Sequence, residues 1–116
     1  MDKIIVPDYS DITSKNIDYH CDILSNFPIN EIYNNYKEYN PSLYNNLIDT
    51  WNKVMNQINI INTYASKIKK EGKTFKNNSK VKNHAVKITN KLRELIISFW
   101  KHYELFCKLF PALMKT

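Results

Sequence analysis

The amino-acid sequence predicts an all-α fold: a small helical bundle built on a long antiparallel helical hairpin, with two short N-terminal helices packed on it. The first observation is a pair of heptad patterns. Between Ser42 and Glu71, Tyr44, Trp51, Ile58 and Ala65 form one row, and Leu47, Val54, Ile61 and Ile68 form the row three residues on. Between Ser79 and Phe110, Ala85, Leu92, Phe99 and Phe106 form one row, and Val81, Ile88, Leu95, His102 and Leu109 form the other. Seams of this kind belong to helices packed against another helix along their length. The second observation is the single glycine, Gly72, which leaves a β-rich protein short of turn residues. The third is the position of the breakers. Asn26-Phe27-Pro28, Asn40-Pro41-Ser42, Gly72 and Pro111 fall between the periodic segments, not within them.

Taken in order, residues 1–13 read as an irregular tail, with Ile4, Ile5 and Val6 available to lie on the bundle. Residues 14–39 hold the two short helices. Lys15 to Leu24 forms the first, with Ser14 as its N-cap and Ile17, Cys21 and Leu24 on one face. Pro28 to Tyr39 forms the second, its face made by Ile29, Ile32, Tyr33 and Tyr36. Pro28 suits a first helical turn, where a missing N–H does no harm. The first long helix spans 42–71, capped by Asn40 or Ser42 and stopped by Gly72. A polar, basic connector follows from Gly72 to Asn78. The second long helix spans 79–110, with Ser79 as its cap, and Pro111 forbids continuation.

At 116 residues the chain reads as one helical domain that can bury a core without metal or disulfide staples. An apolar fraction of 43% with 24% charged residues fits a folded protein and not a disordered one. No run of about eighteen apolar residues exists, so no membrane span is expected. The opening MDKIIVPDYSD has an apolar run too short for a signal-peptide core, and an intracellular location is expected, the host cell interior if the source is viral. In that setting Cys21 and Cys107 are free thiols; export by another route would allow their one pairing. Sixteen of the seventeen basic residues are Lys, and Asn, Ile and Tyr are abundant. An AT-rich genome, as in a virus, phage, low-GC bacterium or protist, accounts for that bias.

Codon bias does not account for where the charge sits. Residues 1–66 carry a net charge of −4, whereas residues 67–93 carry +9, with ten basic side chains against Glu71 alone. In a hairpin this block gathers at one end. Concentrated positive charge is the footprint of a phosphate-binding surface. The candidate nucleic-acid-binding residues are Lys69, Lys70, Lys73, Lys76, Lys80, Lys82 and Lys87. Lysine offers point charge without the bidentate base reading of Arg, so weak sequence specificity is expected. Asn77, Asn78, Asn83 and Asn90 can add polar contacts, and Phe75 can stack on one base. The bland reading is a solvated helix end, with Lys67 to Lys70 favoured by the helix dipole.

Leu95 to Met114 supplies a second candidate surface. Its apolar arc is wide, and only Lys101, Glu104 and Lys108 mark a polar stripe. This arc reads as core, or as an interface anchored by Trp100, Tyr103 and Phe110. An interface would make the protein an interaction module, such as a viral or phage-type antagonist or an oligomeric assembly subunit. Catalytic and cofactor chemistry find no support. A single glycine excludes the P-loop and dinucleotide fingerprints, and there is no G-x-S-x-G elbow. Adjacent His20 and Cys21 diverge on a helix, and His102 and Cys107 miss the i, i+4 spacing of a metal pair. Glu94 and Glu104 sit about 15 Å apart along one helix, too far for a paired acid and base. A non-catalytic protein without cofactor or metal is expected.

Overall fold

A computed structural model describes residues 6–36, 38, 40–74 and 76–109, apart from the side chains of Tyr33, Asn35, Tyr36 and Leu109. It is all-α, with no strand among the described residues. Four helices follow in order: α1 (Ile17–Ser25), α2 (Ile29–Tyr36), α3 (Pro41–Lys70) and α4 (Ser79–Leu109). The long pair α3 and α4 packs together as the hairpin, and α1 and α2 lie against α3. The molecule is elongated, 52 × 23 × 21 Å, because a thirty-residue helix is itself about 45 Å long.

The helix ends follow from local chemistry. Asn40 caps α3, its Oδ1 accepting from the Leu43 backbone N–H at 3.1 Å, and Pro41 takes the first helical position. At the other end Gly72 adopts φ +71°. Its N–H reaches the Lys69 carbonyl at 3.1 Å, and the Lys73 N–H reaches the Ile68 carbonyl at 2.9 Å. That pair of reversed bonds is the Schellman arrangement, which only a residue at ease with positive φ supports. Asn78, and not Ser79, caps α4: its Oδ1 accepts from the N–H groups of Lys80 (3.1 Å) and Val81 (3.2 Å). Helix α1 starts at Ile17, later than the expected Lys15, and Ser14 does not cap it. Asn16 takes the N-cap place without a side-chain bond into the helix. Its amide turns backwards, accepting from the Thr13 N–H and donating to the Asp11 carbonyl. The second short helix begins one residue after Pro28 and ends at Tyr36; the expected Lys37 and Tyr39 fall outside the described residues, as do Ile4 and Ile5.

Two hydrogen bonds fix the pairing of the long helices. Gln57 is buried and donates from Nε2 to the Ile88 carbonyl at 2.9 Å. One heptad further along α3, the Tyr64 hydroxyl meets the carbonyl of Val81, one heptad back along α4, at 3.5 Å. Both steps are seven residues in opposite directions, which defines an antiparallel register. Tyr44, Leu47, Val54 and Ile68 of the expected α3 seam are buried, and Trp51, Ile58 and Ile61 are half-buried. Ala65 departs from the pattern and is exposed, since no third helix covers that part of the hairpin. Thr50 takes a buried place instead, its hydroxyl satisfied by the Asn46 and Leu47 carbonyls.

The core concentrates where α1 and α2 cover the hairpin. Leu24, Ile32, Leu47, Val54, Ile96 and Phe99 are fully buried there. Phe27, in the turn between α1 and α2, points into the aromatic cluster with its ring centroid 5.0 Å from Phe99 and 5.2 Å from Tyr103. Trp51 donates from Nε1 to the Leu24 carbonyl at 2.8 Å, and the Phe27 N–H reaches the same carbonyl at 3.3 Å, so this group at the end of α1 is satisfied from outside the helix.

Both caps of α3 lend themselves to measurement. Asn40→Ala should lower the unfolding free energy by about 1 kcal/mol. A Cβ on Gly72 would meet nothing within 4 Å, so Gly72→Ala carries only the backbone penalty of positive φ, about 1–2 kcal/mol. Urea denaturation should show both as a lower midpoint with an unchanged slope.

Candidate functional site

The hairpin divides into a covered body and a bare arm. Beyond the reach of α1, the end of α3 and the start of α4 pack only on each other among the described residues, and Lys67 to Lys87 of the basic block lie on that arm, with Lys91 and Arg93 at its base beside Leu92. Lys67, Lys69, Lys70, Lys73, Lys76, Lys80, Lys82, Lys87 and Lys91 are all exposed, and Arg93 is half-buried. The seven lysines expected to contact phosphate therefore share one end of the molecule. Glu71 is the only acid within the block. It pairs with Lys73 at 2.9 Å, and its carboxyl is held below the usual range by that hydrogen bond. The other lysines of the arm make no ion pair among the described residues.

Helical spacing distributes these charges around α4. Lys80, Lys87 and Lys91 follow one flank at steps of seven and four, and Lys82 and Arg93 follow the other. Two surface hollows reflect this division. Lys82 and Arg93 border one, Lys87 and Lys91 border the other, and the ridge of Val86 and Asn90 is common to both. The basic surface thus wraps the arm and does not form a single flat patch. Asn83, Asn90 and Asn77 are exposed beside it, whereas Asn78 is spent on capping α4. Phe75, the expected stacking residue, lies outside the described residues.

The aromatic end of α4 is a different matter. Trp100 and Tyr103, expected as anchors of a partner interface, are fully buried inside the chain. Phe27 packs edge-on against both rings, and the Trp100 Nε1–H points to Nδ1 of His20 at 3.4 Å. These two residues are core, because α1 and the following turn close over the side of α4 that carries them. Phe110 lies outside the described residues. Among the described residues of this segment, the large apolar side chain that faces solvent is Leu105, 48% exposed.

His20 is the polar residue that sequence reasoning missed. It is 1% exposed, held between Trp100 and the Asp8 segment, and burial lowers its pKa while the Asp8 carbonyl and charge pull the other way. Its position, three residues after Ile17 and four before Leu24, was the available signal for the inner face of α1. Both cysteines are free, and burial pushes each thiol up to about 11, which makes them poor nucleophiles at neutral pH. His102 is half-buried with Nδ1 2.8 Å from the Ser98 carbonyl, and His84 is exposed beside the Tyr64 ring. Among the described residues no group of three or more His, Cys, Asp or Glu is placed to hold a metal ion. No helix among them is long and apolar enough to cross a membrane. Compared with protein-family models, with curated proteins and with solved structures, the chain matches none.

Two measurements check this placement. Trp100→Ala should lower stability by about 3–5 kcal/mol, as for a core aromatic; a partner-facing tryptophan would leave it near that of the parent. His20 should make the fold acid-sensitive. Its folded pKa lies below the unfolded value of 6.5, so the unfolded chain binds the proton first. Stability should be full above that value and fall as pH drops through it. In a pH series of thermal melts, His20→Gln should flatten that fall.

Proposed function

We propose that the protein is a non-catalytic nucleic-acid-binding protein that grips phosphates with the Lys-rich arm of its hairpin. The observation that carries this reading is the gathering of ten basic side chains and one acid between residues 67 and 93, eight of the basic ones, Lys67 to Lys87, on an arm that no other described helix covers. Like charges this close repel, and their repulsion falls when a polyanion lies among them. Nothing in the fold of the arm requires such a concentration. Its apolar contacts use Ile68, Val81 and Ile88, and a mixed-charge surface would leave those contacts intact.

The contact residues are Lys69, Lys70, Lys73, Lys76, Lys80, Lys82 and Lys87. They lie on the connector and on both flanks of the arm, which suits a phosphate chain that bends around the tip or two strands that straddle it. Lysine ammonium groups neutralise phosphate without reading base edges, so binding is only weakly sequence-specific. Each phosphate met releases condensed counterions, so affinity falls steeply with salt.

Fluorescence anisotropy with labelled single- and double-stranded oligonucleotides, from low to physiological salt, tests the reading. Replacing Lys73, Lys76, Lys80 and Lys82 with Gln should weaken binding for every sequence alike. It should also reduce the slope of log affinity against log salt by about 3–4 on duplex DNA, at about 0.9 for each phosphate no longer neutralised. Absence of binding by the parent at low salt would overturn it.

A further inference from the structure

We propose that the chain forms a two-fold dimer through an open furrow beside α1, in which the acidic border of one copy meets the basic border of the other. The furrow exists because α1 is only nine residues long and cannot cover the whole groove between α3 and α4. Where it leaves the groove open, a hollow of about 440 Å³ remains, floored by Ile17, Ile58, Ile61 and Leu92. Asp18 and Asp22, one helical turn apart on α1, border it. A second hollow, of about 470 Å³, adjoins it across Thr89 and is bordered by Lys82 and Arg93 of α4. Ala85 lines this second hollow, and Val86, 50% exposed, stands on its far side, where it meets the hollow bordered by Lys87 and Lys91.

A surface with carboxylates on one border, cations on the other and apolar groups between is complementary to itself. A two-fold axis lying between the borders brings Asp18 and Asp22 of each copy to Lys82 and Arg93 of the other, and both contacts form at once. The apolar floor of Ile17, Ile58, Ile61 and Leu92 in each copy then faces that of its partner, with Thr89, the wall shared by the two hollows, near the axis. This dimer does not depend on nucleic-acid binding, although Lys82 belongs to both surfaces.

Sedimentation equilibrium or light scattering on the full chain, at low salt and from about 1 to about 100 μM, tests it without nucleic acid. The parent should reach twice 13.8 kDa, and Thr89→Glu, which sets like charges face to face near the axis, should remain a monomer with unchanged helix content. The deciding experiment reverses charge on each border separately. Asp18→Lys/Asp22→Lys and Lys82→Glu/Arg93→Glu should each be monomeric alone, and their equimolar mixture should recover the dimer mass. Misfolding cannot produce that recovery. A parent that stays monomeric throughout, an assembly larger than two, or a mixture that fails to associate would overturn the proposal. The Asp18→Lys/Asp22→Lys variant keeps every lysine, so its oligonucleotide binding separates the two readings.

Discussion

The packing of α3 against α4 is the interaction on which everything else depends. Neither α1 nor α2 is long enough to be stable alone, and both find their place by covering a surface that the hairpin creates. The hairpin in turn rests on a seam of apolar side chains whose register is fixed by polar groups. Gln57 is buried, and a one-residue slip would separate its amide from the Ile88 carbonyl and leave it unsatisfied inside the protein. Apolar contacts tolerate small shifts; a buried amide does not. One glutamine therefore selects a single alignment from several that would bury similar apolar area.

Gly72 converts that alignment into a charge distribution. By ending α3 with a tight reversal, it places Lys67, Lys69 and Lys70 at the same end as Lys80, Lys82 and Lys87. The lysines are far apart in the chain only in the sense that a helix reversal lies between them. The body of the molecule is acidic by contrast, with Asp8, Asp11, Asp18, Asp22 and Asp49 on or near the covered half. The elongated shape keeps the two ends apart, so the molecule is electrostatically polar along its length. Such a molecule presents one end to a polyanion and turns the other away.

The covered half is built differently from the arm. There the fold closes around aromatic rings, with Phe27 set edge-on to Phe99, Trp100 and Tyr103, and around His20, whose ring takes the Trp100 N–H. Aromatic and imidazole groups of this size require a cover, and the short helices supply it. Since α1 is short, its cover ends partway down the hairpin. The furrow beside it is the geometric consequence of that length.

The helical elements and the basic end were determined by the sequence itself, because they depend on local rules. Heptad spacing marks α3 and α4, Asn40 and Gly72 mark the limits of α3, and a hairpin with Lys67 to Arg93 at its turn must be basic there. Where two adjacent residues could both cap, as with Asn78 and Ser79, the choice depended on backbone geometry that the sequence does not encode alone. The tertiary structure decided what periodicity cannot. A helix as apolar as the end of α4 has no unique inner face, so only the position of α1 and Phe27 made Trp100 and Tyr103 core. Ala65 fits its heptad row yet is exposed, because a row gives a direction from the helix axis and not the presence of a neighbour. His20 and Gln57, polar by composition, are buried because partners more than thirty residues away in the chain satisfy them. Spacing records where a side chain points; only the assembled fold determines what it meets.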